Sequence, residues 1–393
     1  MIENQNNQKN KNWPIVTLLI LMYLVVAMGD NFKGIFVPFF RGEFGVNNTQ
    51  IGYVMTASLF AYAVFQYAGG SWIEKFGYKK IISLGFILTI CAALVLTNCM
   101  NFPMLIFGMF LLNIGMAMFN IGVNTLGPVL TVSSTAVLMN IINGAYSAGN
   151  TLLQKISGAL LETGIPWRTF FLFMMIVSAI LFVYLMLVKI PYIPVVTKVQ
   201  GDKNAVFKDT TIYLYFLTAG FYLASEYGIG NWFVNYMTDA FKMSSDQSAN
   251  YIALFFGFKT IGLIFGGFIA DRLGCFKTIL TFGAIASVLS IGGIAMGQSG
   301  LIIFSISGLF FSAIFPSIVT TIGGVYQENT SYVTGLILMC AILIAMVISM
   351  SVGVFNDMIG TRYGFFIIGI CVLLTTIFGN ILRLNVRNKG LQL

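Results

Sequence analysis

The chain has 393 residues, of which 58% are hydrophobic and only 9% carry a formal charge; soluble domains carry about 25% charged side chains, so a water-facing surface cannot be built from it. Its net charge of +8 lies in loops between apolar stretches rather than in a patch, which excludes a nucleic-acid surface and reads as membrane topology. Histidine is absent, and Cys91, Cys99, Cys275, Cys340 and Cys371 have no metal-like spacing, so no metal, no histidine proton relay and no cofactor is expected.

In chain order, the polar stretch 1–13 has no cleavage site ahead of the first apolar run and reads as a cytoplasmic tail. Apolar runs follow at 14–40, 49–73, 80–98, 103–127, 136–161, 168–190, 210–237, 248–270, 278–297, 301–325, 332–355 and 364–384. Each is long enough to cross about 30 Å of hydrocarbon as a helix. Runs this continuous are helices rather than barrel strands, because a helix satisfies its own backbone polar groups. The expected fold is an all-α membrane protein of twelve transmembrane helices in two six-helix bundles, 14–190 and 210–384, with a cytoplasmic linker at 191–209 and a cytoplasmic tail at 385–393. With the N-terminus inside, the outer loops hold only Arg41, Arg168, Lys242 and Arg362, while the inner loops and tails hold the other loop lysines and arginines. That asymmetry places both termini in the cytoplasm and the chain in the cell membrane.

The halves repeat each other. GGSWIEKFGYKK (Gly69 to Lys80) and GGFIADRLGCFK (Gly266 to Lys277) each follow the second span of their half, 197 residues apart (266 minus 69). A parallel repeat of this kind is expected of two bundles that rock around a central cavity. Both loops resemble the signature between helices 2 and 3 of the major facilitator superfamily. Gly70, Glu74, Lys75, Gly77, Lys79 and Lys80 fall on the first copy, with Glu74 where the signature has aspartate, and Gly267, Asp271, Arg272 and Gly274 on the second. The resemblance implies a latch on the outward-open state, in which small residues let helices approach and an acid near a helix end pairs with basic groups.

Further stretches resemble the fucose permease branch of that superfamily, whose members carry neutral sugars with protons: IFVPFF from Ile35, MNIINGAYSAGNTLL from Met139, GFYLASEYGIGNWFVNY from Gly220 and GLFFSAIFPSIVTT from Gly308. The resemblance implies a proton-coupled sugar symporter working by alternating access. It departs where the branch carries its acids. The helix 4 acid falls on Asn120 and the helix 1 acid on Gly34, with Asp30 one turn earlier. Proton coupling therefore cannot be carried over from the family.

The residues supply their own candidates. A charge buried in hydrocarbon is costly unless paired or hydrated, so intramembrane charges are functional candidates. Asp30 and Lys33 lie three residues apart on one face and can pair. Glu226 is the counterpart of Asp30 in the second half, 196 residues on (226 minus 30). Both carboxylates are proton-coupling or gating candidates. Lys259 lies near mid-membrane, whereas Lys155 lies nearer the outer end and can reach Glu162 or snorkel outward. Three lysines against two carboxylates leave open a net positive cavity, in which Lys33 and Lys259 would hold an acidic sugar or organic acid.

Asn113, Asn120 and Asn124 in helix 4, Asn140, Asn143, Tyr146, Asn150 and Gln154 in helix 5, and Tyr222, Tyr227, Asn231 and Trp232 in helix 7 add amides and aromatic faces suited to a polyhydroxylated ligand. A drug or metabolite exporter is the other transport reading, favoured by aromatics over amides. A membrane enzyme or receptor lacks a visible catalytic constellation or a sizeable soluble domain. The partners expected are a small-molecule substrate, protons and the lipid bilayer, with the chain as a monomer.

Overall fold

The computed structural model describes residues 2–127, 130, 135–190, 207–326 and 330–389, leaving aside the side chains of 2–12, 74, 135–140, 267, 268, 271 and 330–332. Helices α1 (Ile2–Ile35) and α2 (Val37–Phe44) form the first span, followed by α3 (Asn48–Phe76), α4 (Tyr78–Thr97), α5 (Phe102–Leu126), α6 (Thr135–Glu162) and α7 (Trp167–Leu187). The second half comprises α8 (Thr210–Phe241), α9 (Ser245–Leu273), α10 (Cys275–Ala295), the segmented span α11 (Leu301–Ile306), α12 (Gly308–Phe311) and α13 (Ile314–Val325), then α14 (Thr330–Ile359), α15 (Thr361–Gly364) and α16 (Phe366–Asn388). Among the described residues these make twelve spans, α15 and α16 together forming the last. Ten are long and apolar enough to cross a membrane on composition alone. The other two, α6 with 28 residues and α8 with 32, are as long but more polar.

Three boundaries differ from the expected ones. The first span is not continuous over 14–40: Pro38 has no N–H for the Gly34 carbonyl, so α1 stops at Ile35 and α2 starts at Val37. The stretch 1–13 is continuous with the first helix, since α1 begins at Ile2. At the other end α16 runs on to Asn388, past the expected limit of 384. Both extensions are polar enough to leave hydrocarbon, yet neither Gly nor Pro interrupts the helix before Pro14 or Gly390.

The repeat is structural as well as sequential. α3 and α9 are each 29 residues long and begin 197 residues apart (245 minus 48). Each opens with a capping box, Asn47 with Gln50 and Ser244 with Gln247. Each ends at a glycine of positive φ, 84° at Gly77 and 83° at Gly274, a conformation that only glycine adopts freely and that turns the chain into the next helix. Large exposed apolar side chains such as Phe107, Ile180, Leu187 and Val288 clothe the exterior, as a lipid-facing surface requires.

The halves meet where α3 packs on α14, α6 on α9 and α1 on α8. Hydrogen bonds between them gather at the end away from the N-terminus of α1 and the C-terminus of α16. There Asp357 on α14 caps α3, accepting from the backbone N–H and side chain of Asn48 (3.0 and 2.9 Å) and of Thr49 (2.6 and 2.7 Å). Arg41 donates to Asn235 (3.0 Å) and pairs with Asp239, while Asn235 donates to Asn48 (2.9 Å). At the corresponding corner of the repeat, Glu162 accepts from the Asp246 backbone N–H at 3.4 Å. Just inside this end α1 and α8 touch backbone to backbone: a Cβ on Gly34 would stand 1.8 Å from the Gly230 carbonyl oxygen.

Candidate functional site

One helical turn from the Gly34 contact lies a cavity shared by the halves. The first half contributes Asp30, Asn31 and Lys33 of α1 and Tyr146, Asn150 and Gln154 of α6; the second contributes Glu226, Tyr227, Gly230 and Asn231 of α8 and Phe256 of α9. The residues fall on single helix faces because they recur at three- and four-residue spacing.

Each carboxylate is neutralised within its own half. Lys33 donates to Asp30 at 2.7 Å and to Asn113 of α5 at 3.1 Å, and the Tyr146 hydroxyl donates to the other Asp30 oxygen at 2.9 Å. Lys33 is only 4% exposed, so three donated hydrogen bonds lock an inward-held pair to α5 and α6. In the second half Lys259 of α9 pairs with Glu226 of α8. Lys259 is 8% exposed. The two pairs make the described cavity wall formally neutral. This departs from the net positive cavity left open by counting lysines, because Lys33 and Lys259 are both engaged and Lys155 is exposed, away from the lining.

The other residues singled out from sequence divide. Asn150 and Asn231 are 2% and 4% exposed and line the cavity with Asp30, Lys33, Tyr146 and Glu226. Trp232 does not: it is fully buried against α14, where its indole N–H donates to Ser349 at 3.2 Å. An indole has one donor and a large apolar body, and the helix interface serves both. Tyr222 is likewise buried away from the lining, donating to the Phe311 carbonyl at 3.0 Å. Asn124 donates to Asn120 at 2.7 Å and to the Tyr23 hydroxyl at 3.1 Å, and Gln66 donates to Asn120 at 3.3 Å. These two asparagines thus serve an amide cluster outside the cavity lining. Asn143 is exposed one turn before Tyr146 and does not line the cavity.

Of the loop signatures, Glu74, Gly267 and Asp271 lie outside the described side chains, as does 191–206 of the expected linker. Gly77 and Gly274 are the turn glycines described above. Lys79 donates to the carbonyls of Met186 (3.0 Å) and Val188 (3.1 Å), tying the start of α4 to the end of α7. Lys75 lies over the Phe76 ring at 5.3 Å, while Gly70 has open space beside its Cα and Arg272 is exposed.

Sequence reasoning found Tyr227, which lines the cavity, but missed Asn31, Gly230 and Phe256. Asn31 is 1% exposed and donates to the Ala27 carbonyl (2.7 Å) and to Asn150 (2.6 Å). A signal existed: the 196-residue offset that pairs Asp30 with Glu226 also pairs Asn31 with Tyr227 and Gly34 with Gly230.

Comparisons with known proteins agree with this architecture. The chain is 22% identical over 413 residues to a glucose/galactose transporter of Brucella abortus, covering 95% of both. It is 22% identical to the L-fucose-proton symporter of Escherichia coli over 369 residues, 83% of each chain, and 22% identical to a cis,cis-muconate transport protein of Acinetobacter baylyi over 363 residues, 82% and 86% of the two. Among solved structures, it matches a bacterial homologue of the lysosomal transporter Spinster, inward-facing, at a TM-score of 0.78 with 15% identity, covering 95% and 97% of the chains. It matches the E. coli fucose:proton symporter in its outward conformation at 0.66 with 20% identity, covering 93% and 98%. The model of the Major Facilitator Superfamily matches residues 19–236 and again 214–391, and the chain belongs to that superfamily.

Proposed function

We propose that this protein is a proton-coupled symporter of a neutral sugar or sugar-like solute. The observation that carries the reading is the pair of ion pairs: each carboxylate facing the cavity is neutralised by a lysine of its own half, and amides fill the space between them. A rocking motion between bundles 14–190 and 210–384, tethered by 191–209, then breaks neither pair, so the empty carrier reorients without stranding a buried charge. The names of the glucose/galactose and fucose-proton relatives support the same solute class.

In this reading the termini are cytoplasmic, following the loop lysines and arginines, and the closed end at Arg41, Asn48 and Asp357 is the outer gate. Glu226 is the coupling acid. Protonation removes its charge and releases Lys259; loss of the proton to the cytoplasm restores the pair. Asp30, fixed by Lys33 and Tyr146, organises the substrate wall with Asn150, while Asn231 faces it from α8. The loop residues Gly70, Glu74, Lys75, Gly77, Lys79, Gly267, Asp271, Arg272 and Gly274 serve as the latch of the opposite conformation.

A carboxylate passenger, as the muconate relative suggests, needs a cation free to receive it, and both cavity lysines are occupied. The deciding measurement is uptake of labelled D-glucose, D-galactose and L-fucose into proteoliposomes with and without an inward proton gradient. Gradient-driven accumulation of at least one sugar is expected. Accumulation of dicarboxylates with no sugar uptake would replace the reading with the acidic one.

A further inference from the structure

On the cavity wall formed by α1 and α6, Asn31, Asn150, Tyr146 and Lys33 turn donors into the protein, while two acceptors stay open. Both Asn31 N–H groups are used, on Ala27 and Asn150. The Asn150 amide donates to the Tyr146 carbonyl at 3.2 Å, the Tyr146 hydroxyl to Asp30, and the Lys33 ammonium to Asp30 and Asn113. Two carbonyl oxygens on the same wall are left over. Asn31 Oδ1 and Gln154 Oε1 are buried and receive no hydrogen bond from the described residues; Asn31 and Gln154 are each only 1% exposed, and both line the cavity. The orientation of Asn31 is not arbitrary: turning the amide over would set its oxygen against the Ala27 carbonyl and the Asn150 oxygen that now accept from it. Gln154 lies one helical turn beyond Asn150, so the two open acceptors flank one central amide.

Resting on the sugar reading above, we infer that Asn31 and Gln154 are specificity-determining residues that accept hydrogen bonds from two hydroxyl groups of the passenger. Open buried acceptors recognise donors and disfavour carboxylates or ethers of the same size, since acceptors without a donor are left unsatisfied. The substrate class is thereby narrowed to polyols with adjacent free hydroxyls, whose apolar ring face is left to Phe256 of α9.

Deoxyfluoro sugars test this, because fluorine replaces a hydroxyl at nearly the same size but cannot donate. Competition against labelled sugar uptake in proteoliposomes, using each monodeoxyfluoro analogue of the best transported sugar, should show two ring positions at which fluorine weakens apparent affinity about threefold to tenfold. In Gln154→Met the parent sugar should weaken by a similar factor, and the hydroxyl-over-fluorine preference should vanish at one of those positions and persist at the other. A merely structural role for Gln154 would weaken parent and analogue alike and leave their ratio unchanged, which overturns the inference. Should Gln154→Met be inactive, the wild-type series still decides: sugar uptake with no hydroxyl-over-fluorine preference at any position refutes the assignment while leaving the sugar reading intact. Absence of binding by every sugar removes both together.

Discussion

The two halves place a carboxylate at the same point of the repeat, Asp30 on α1 and Glu226 on α8, and then treat it differently. Asp30 takes its lysine from its own helix and a second donor from α6. Glu226 takes Lys259 from the neighbouring helix α9, and the position matching Lys33 is Ile229. The acid repeats and the cation does not. Duplicated architecture thus carries two chemically distinct sites: one is held by α1, α5 and α6 together, while the other depends on a cross-helix pair whose loss leaves a buried lysine without its counter-charge. A fixed charge suits a scaffold; a pair that opens and closes suits a proton.

The largest expected effect breaks this contrast directly. Glu226→Gln leaves Lys259 buried without its counter-charge, which costs about 3–5 kcal/mol where such pairs are split, and gradient-driven accumulation should fall to the equilibrium level. Neutralising both members, Glu226→Gln with Lys259→Met, should recover thermal stability without recovering proton-driven uptake. Asp30→Asn should cost less, because Lys33 keeps Asn113 as an acceptor. Equal losses of coupling in Glu226→Gln and Asp30→Asn would erase the distinction drawn between the halves.

The glycines at the α1–α8 crossing sharpen it sterically. They too are equivalent by the repeat, yet a Cβ on Gly34 meets the Gly230 oxygen at 1.8 Å, whereas one on Gly230 meets nothing within 4 Å. Backbone cannot yield as a side chain can, so Gly34→Ala should disfavour the closed outer end by about 3 kcal/mol. Gly230→Ala should leave that end closed and, by placing a methyl in the cavity, raise the KM for substrate. Spin-label distances between positions flanking Arg41 and Asp239 read the first effect, and initial uptake rates the second.

The outer corners differ in the same sense. Asp357 collects hydrogen bonds from Asn48 and Thr49, whereas Glu162 at the matching corner has a single 3.4 Å bond and faces the acidic Asp246. Asp357→Asn should shift the opening equilibrium outward by about 2 kcal/mol, the scale of hydrogen bonds to a charged acceptor. Glu162→Gln should move it by less than about 0.5 kcal/mol. Accessibility of single cysteines at the cavity mouth separates the two variants.

How far these features were legible in the sequence follows from their physics. Twelve spans and the repeat were readable because hydropathy and the GG-acid-base-G order are local. The Asp30–Lys33 pair was readable as a three-residue spacing. The Glu226–Lys259 pair was not, since it joins two helices and depends on how α8 and α9 rotate against each other. The same limit misplaced Trp232: its sequence neighbour Asn231 faces the cavity, but one residue is about 100° of helix, enough to turn the indole into the α14 interface. The hydrogen bonds that close the end away from the termini escaped notice because Arg41 and Asp357 sit at span ends, where charge is expected for topology alone.

The smallest expected effect concerns a pair that only the first half has. Glu43 at the end of α2 pairs with Arg168 and accepts from the Trp167 indole at 2.7 Å, joining the first span to α7; its counterpart at the 196-residue offset, Asp239, instead pairs across the halves with Arg41. The Arg168 hydrogen bond, acting against desolvation, holds the Glu43 carboxyl below its ordinary value of 4.5, aided by Trp167. A carboxylate with a lowered folded-state value stabilises the fold above that ordinary value, and the contribution is lost as pH falls through the lowered one. The wild type should therefore lose a small increment of thermal stability below pH 4.5 that Glu43→Gln, already without it, does not lose. High salt should shrink the difference, because the pair is solvent-exposed and screened. Thermal unfolding in detergent at pH 6 and pH 4, at low and high ionic strength, measures it, and an undiminished pH step in Glu43→Gln would assign the acid sensitivity to another carboxylate.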